Sequence, residues 1–154
     1  MGERRRGREL ALQALYQREI AGEQSLPALE AFVRHFHAGE EANAFAISLV
    51  RGAIERGPEI DALIAEASQN WRFERLSKID LNVLRLATYE LLATPGVPVS
   101  VVINEAIEIA RRFGTEESAT FVNGVLDAIA ERTDAKARER ILEENGRTVP
   151  TRSS

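Results

Sequence analysis

The chain has 154 residues, 44% of them hydrophobic and 29% charged, with 10 glycines and 5 prolines; a domain of this length buries roughly 70% of the surface its unfolded form exposes, so a full core is available. With no cysteine, disulfides, thiolate nucleophiles and cysteine-bound zinc are excluded. The net charge of −4 argues against indiscriminate adhesion to polyanions, yet five arginines stand against two glutamates in the first eighteen residues, which marks a local basic patch on an acidic body.

Helix signals follow one another with short breaks, and no segment alternates at period two. In the first helix Leu12, Tyr16 and Ile20 recur every four residues beside Leu15, and Gly22 supplies the stop. The charged start is followed by Gln13, Gln17, Arg18 and Glu19 rather than an apolar run, so a secretory leader is not expected, and no stretch is long enough to span a membrane. Ser25 with Pro27 opens a shorter second helix with Leu29, Phe32, Val33 and Phe36 on its stripe and Gly39 at its end. A third carries Ile47, Val50 and Ile54 into Gly57-Pro58, and a fourth places Ile60, Leu63, Ile64 and Ala67 on one side.

Trp71 and Phe73 fall in a polar connector, and Ser77 with Asp80 three residues on resembles a capping box for the fifth helix. That helix holds Ile79, Val83, Leu84, Leu86, Ala87 and Leu91, an apolar arc wide enough for a central position. Thr94-Pro95-Gly96-Val97-Pro98 breaks the chain. Ser100 is expected to cap the sixth helix, with Val102, Ala106, Ile109, Ala110 and Phe113 inward, Glu108 and Arg112 paired on another face, and Gly114 at its close. Thr115 is expected to cap the seventh, whose first turn holds Glu116 and Glu117 and whose stripe is Ser118, Val122, Val125, Leu126 and Ile129. The fold expected is all-α, a compact bundle of about seven helices over residues 1–132. Residues 133–154 read as a charged extension, partly disordered, with Ile141 and Leu142 its large apolar pair.

A catalytic reading needs a nucleophile with a base, a metal set or a phosphate loop, and the sequence offers none of them. His35 and His37 are the only histidines; two apart on a helix they point roughly 200° from one another and cannot share an ion. No enzyme, metal or cofactor is expected. The arginines are different, because cations at a helix start oppose its dipole, costing about 0.3 to 1 kcal/mol each in the first turn. Two readings remain open: phosphate contact through bidentate guanidinium groups, or a frayed, solvated basic end. Arg4 and Arg8 lie one turn apart on a row that continues to Leu12 and Tyr16, so charge gives way to an aromatic that is either core or a base-stacking surface. Phe121 stands about 80° off the centre of its helix stripe, one turn after Glu117 and near Gly124. It reads either as a stacking ring beside bared backbone or as a core-edge residue with Gly124 permitting close packing.

Three segments match a known pattern in order and spacing. They are Arg4-Arg5-Arg6-Gly7-Arg8-Glu9 with Gln13-Ala14-Leu15-Tyr16, then Leu84-Arg85-Leu86-Ala87-Thr88-Tyr89-Glu90-Leu91, and last Val102 to Ala110 through Phe113-Gly114 and Phe121-Val122-Asn123-Gly124-Val125-Leu126-Asp127. Together, over about residues 2 to 132, the chain resembles the NusB family. The resemblance implies an all-α factor in transcription antitermination that pairs with NusE, the small-subunit ribosomal protein. The pair would bind single-stranded boxA RNA of nascent ribosomal RNA leaders, in a cytoplasmic RNA polymerase complex with other Nus factors. It implies RNA contacts at Arg4, Arg5, Arg6, Arg8, Tyr16, Glu117 and Phe121, and a NusE-facing position at Asp80. Gly7 departs from the pattern by loosening the arginine box, and Glu117, unable to bind phosphate, suits a base or ribose. A related domain begins the ribosomal-RNA cytosine methyltransferases, but no catalytic cysteine is present, so a stand-alone factor is expected. The remaining alternative is a helical scaffold, a possible homodimer, with no role on RNA.

Overall fold

The computed structural model describes residues 2–68, 76–133, 135 and 140–145. Trp71 and Phe73, read above as part of a connector, lie outside the described residues. Among the described residues the main helices run in order: α1 (Gly2–Ala21), α2 (Leu26–Arg34), α3 (Glu40–Glu55), α4 (Gly57–Ala67), α5 (Lys78–Ala93), α6 (Val99–Phe113) and α7 (Ser118–Arg132), and residues 140–145 are also helical. No strand occurs among the described residues, and no helix is long and apolar enough to cross a membrane.

The wide apolar arc of α5 puts it at the centre, packed against α1, α3, α4, α6 and α7. Leu84 is fully buried, with Val83, Leu86, Ala87 and Leu91 close to it in burial. Each of its neighbours contributes a narrower stripe: Leu12 and Leu15 from α1, Leu49 from α3, Ile60 and Ile64 from α4, Val102 and Ile109 from α6, Val122, Leu126 and Ile129 from α7. Close approach of α3 and α5 depends on Gly52, because a Cβ there would strike the Tyr89 ring. Ala135, beyond the point where the sequence pattern fades, is also buried in the core, whereas Ile141 and Leu142 are exposed.

Some expected boundaries move, each for a local reason. Ser25 does cap α2, its Oγ accepting from Ala28 N at 3.2 Å, and Ser77 Oγ accepts from Asp80 N at 3.0 Å. Gly39, expected to end α2, instead precedes α3 as its N-cap, in the left-handed region at φ 105°, which glycine adopts without a Cβ clash. Ser100 caps nothing: α6 starts at Val99, with Pro98 fixing the entry. Thr115 is likewise not the cap of α7, which starts at Ser118; instead the Thr115 N–H donates to Ser118 Oγ at 2.9 Å, making the α6–α7 turn. Gly114 is needed there for space, since a Cβ would meet that same hydroxyl.

The stripe of α1 also differs from the expectation. Leu12 and Leu15 are buried, but Tyr16 is 37% and Ile20 56% exposed. Steps of four residues advance 400°, so the row drifts about 40° per step and leaves the core within two turns. α2 ends at Arg34, and His37 takes a positive φ of 50°, so the helical geometry assumed for the two histidines does not apply. Their ring centres lie 6.5 Å apart, and no group of three or more His, Asp or Glu side chains among the described residues is placed to hold a metal.

Candidate nucleic-acid interface

The arginine-rich start is helical from Gly2 onward, so cations do sit at the positive end of the α1 dipole. Carboxylates from distant helices compensate for this. Arg5 Nε and Nη2 donate to Glu105 Oε1 and Oε2 of α6 at 3.0 and 2.8 Å. That hydrogen bond, followed by the charges of Arg5 and Arg8, holds the Glu105 carboxyl below its ordinary 4.5 although burial opposes it. Arg8 reaches across to α5, where its Nε and Nη2 donate to Glu90 Oε2 and Oε1 at 2.9 and 2.8 Å in a pair shielded from water. Arg6 approaches Glu9 at 3.7 Å, and Arg112 of α6 donates to the other oxygen of Glu9 at 2.5 Å. The expected Glu108–Arg112 pair is therefore not formed; Glu108 takes Arg111, and Arg112 ties the end of α6 to α1.

Arg4 is held in another way. Its guanidinium carbon lies 4.3 Å from the centroid of the Phe45 ring of α3, and that of Arg8 lies 5.3 Å from the same centroid. Gly7 makes room for the ring: a Cβ there would stand 2.7 Å from Phe45 Cδ2 and 3.1 Å from the Ala42 carbonyl oxygen. Gly7 therefore does not loosen the arginine box. It is buried, and it lets α3 press an aromatic ring against the box.

The structure separates the four arginines of the box. Arg4 is exposed, Arg5 and Arg6 are half-exposed, and Arg8 is buried with both guanidinium edges used inside the protein. An outer ridge thus consists of Arg4, Arg5 and Arg6 with Arg112, and Arg8 lies beneath it. A phosphate could reach Arg8 only by displacing Glu90, which its burial disfavours.

Helix direction relates this ridge to the other expected site residues. Arg5 meets Glu105 and Glu9 meets Arg112, so α1 and α6 run parallel; Arg8 meets Glu90 and Glu19 meets Arg85, so α1 and α5 run antiparallel. Tyr16, seven residues past Glu9, lies about 10 Å further along α1 than the Glu9–Arg112 contact at the end of α6. Glu117 is exposed at the N-cap of α7, and Phe121, one turn on, is half-buried at the edge of the core. Gly124 is exposed and a Cβ there would meet nothing within 4 Å, so the close packing considered for it does not occur. Asp80, in the first turn of α5, lies ten residues or about 15 Å along that helix from Glu90, away from the ridge. Its Oδ1 is buried without a hydrogen-bond partner among the described residues.

Phe45, Glu90 and Glu105 take part in this arrangement and were not singled out from the sequence, whereas Arg112 was expected to pair with Glu108 instead. Glu90 and Glu105 stood inside quoted motifs, but nothing local shows that each faces an arginine. Chemically the surface offers guanidinium groups, exposed backbone and two aromatic rings, which suits anion and base contact. A cavity of about 240 Å³ between α1, α3, α4 and α5 has Arg18, Asp61, Asn82 and Arg85 in its wall and no Ser, Thr, Lys or His.

Comparison with known proteins adds independent findings. A family model described as the NusB family matches residues 5–131. A relative from Geobacter sulfurreducens, named transcription antitermination protein NusB, is 50% identical over 131 residues, covering 84% of this chain and 95% of its own length. The structure of NusB from T. maritima is similar with a TM-score of 0.79 and 42% identity, covering 90% of this chain and 98% of its own. A structure of antitermination factors NusB and NusE in complex with dsRNA is similar with a TM-score of 0.76 and 27% identity, covering 84% and 97%.

Proposed function

The chain belongs to the NusB family, and from that footing we propose that it is a transcription antitermination factor that pairs with NusE and binds boxA RNA of nascent ribosomal RNA leaders. In this reading it is non-catalytic and acts in the cytoplasm, within the RNA polymerase complex that contains other Nus factors. Residues 1–132 form the binding unit and 133–154 a charged extension. The single observation that carries the reading is the outward guanidinium ridge of Arg4, Arg5 and Arg6, the last two within the residues that the family model matches. The relative from Geobacter sulfurreducens is named for antitermination, and the solved complex of NusB and NusE with dsRNA supports NusE and RNA as the classes of partner.

The roles divide by exposure. Arg4, Arg5 and Arg6 contact RNA phosphates, displacing counterions as they do so. Tyr16 and Phe121 offer ring surface to unpaired bases, and Glu117 accepts from a base or ribose rather than touching phosphate. Arg8 contributes from beneath by holding the start of α1 in place. Asp80 faces NusE from the opposite end of α5, so the RNA and protein partners engage separate surfaces.

The test is titration of a boxA-like single strand and of the matching duplex, with and without NusE, at several salt concentrations. The single strand should bind more tightly to the pair than to either protein alone, with affinity falling as salt rises. Changing Arg4, Arg5 and Arg6 together to alanine should weaken binding and flatten the salt dependence. Unchanged affinity in that variant refutes the ridge, and preference for the duplex refutes the unpaired-base reading.

A further inference from the structure

Charge alone does not distinguish the arginines of α1, but their partners do. The N–H edges of Arg5 and Arg8 are occupied by Glu105 and Glu90, and Arg6 stands near Glu9. Arg4 has no carboxylate partner among the described residues and rests on the Phe45 ring, 4.3 Å from its centroid. Gly7, one turn along α1, leaves the gap in which that ring lies, and a Cβ at 2.7 Å from it would force the ring or the helix to move. Phe45 is therefore placed by backbone packing of α1 on α3, not by the exposed arginine it supports.

A guanidinium lying on a ring keeps its second π face and its in-plane N–H groups outward. An unpaired nucleobase stacks on such a plane, whereas an ammonium has no plane to offer. We propose that Phe45 is a positioning residue of the RNA surface: it holds the Arg4 guanidinium over its ring at the rim of the bundle, so that one unpaired base stacks on the guanidinium's outer face. The stack runs from ring to guanidinium to base, with Gly7 as the packing element that permits it. The inference rests on the RNA-binding reading above and adds the ring, the glycine and the class of group received, a nucleobase rather than phosphate alone.

The test measures binding of the NusE-paired protein to a boxA-like single strand for Phe45→Leu, Phe45→Tyr, Arg4→Lys and the Phe45→Leu/Arg4→Lys double variant, alongside NusE affinity and thermal midpoint. Phe45→Leu should weaken RNA binding about three- to ten-fold with an unchanged salt slope, because no charge is removed. Phe45→Tyr should stay within about two-fold of wild type, since the π face is kept. Arg4→Lys should lose as much as Phe45→Leu, and the double variant no more than either. NusE affinity should not change, which a general loss of structure would alter. Wild-type affinity in Arg4→Lys, or multiplying losses in the double variant, overturns the stack. If Phe45→Leu fails to fold, Arg4→Lys and Phe45→Tyr still decide. Absence of binding by the wild-type pair overturns the RNA reading itself, whereas wild-type binding that survives Phe45→Leu unchanged overturns this inference alone.

Discussion

Arg8 and Glu90 form a buried two-pronged ion pair that fixes α1 to α5, with N–O distances of 2.9 and 2.8 Å and side chains 7% and 3% exposed. The pair makes Arg8 a structural member of a box whose other arginines face outward. Loss of RNA binding on changing Arg8 would therefore mix unfolding with lost contact.

Arg8→Ala is expected to destabilise the protein by about 3 to 5 kcal/mol, because it leaves the Glu90 carboxylate buried without a counter-charge. Arg4→Ala, at an exposed position, should cost less than about 1 kcal/mol. Urea unfolding of both variants checks this, and equal costs would contradict the division between ridge and anchor. Replacing Arg8 and Glu90 together by apolar residues should recover most of the loss.

Acid should weaken the fold through Glu105 and Glu19. Arg5, by hydrogen bond and charge, holds Glu105 below 4.5; for Glu19, burial opposes ionisation but the bonds from Arg85 and Asn82 outweigh it. A carboxyl with a depressed folded pKa adds stability that is fully present above its unfolded value and is lost as pH falls through the folded one. Stability measured against pH should therefore decline below about pH 4.5, and Glu105→Gln should flatten that decline. An identical acid limb in the variant would show that the Arg5–Glu105 pair adds nothing.

Tyr16 separates binding from stability more cleanly than Phe121 does. Its ring is exposed, so Tyr16→Ala should change stability by less than about 1 kcal/mol, while loss of a stacked base should cost about 1 to 3 kcal/mol of RNA affinity. Phe121 packs on the edge of the core, so Phe121→Ala should lower both. Calorimetric melting beside RNA titration reads the two effects apart. A Tyr16→Ala protein that binds RNA like wild type removes the tyrosine from the site.

Gly124 and Gly52 should respond in opposite directions to alanine. Gly124 is helical and open to solvent, so Gly124→Ala should stabilise by about 0.5 to 1 kcal/mol through helix propensity. If the bare backbone there touches RNA or a partner, affinity should fall as the melting temperature rises. Gly52→Ala drives a methyl into Tyr89 and should cost about 1 to 3 kcal/mol. Matching effects at the two positions would refute the packing described for α3 and α5.

Helix existence was readable because each helix carries its own record: the stripe Val122, Val125, Leu126 and Ile129 recurs at helical spacing, and all four residues are buried. Capping was readable where the side chain and its target lie three residues apart, as at Ser25 and Ser77. It misled at Thr115, where a turn between helices uses the Ser118 hydroxyl instead. Glycine roles were the least readable, since Gly7, Gly52 and Gly114 are set by rings, carbonyls and hydroxyls that approach through packing.

The sequence by itself determined an all-helical chain, its main breaks, a basic start followed by Tyr16, and a pattern specific enough to indicate the family. These are properties of neighbours within a turn or of motifs kept in order along the chain. Only the tertiary structure decided which arginines are free to bind. Glu90 and Glu105 lie 82 and 100 residues from the arginines they hold, and Phe45 reaches Arg4 across two packed helices. Helical periodicity records contacts three or four residues apart; an ion pair between helices depends on how those helices dock, and the docking is set by the whole core at once.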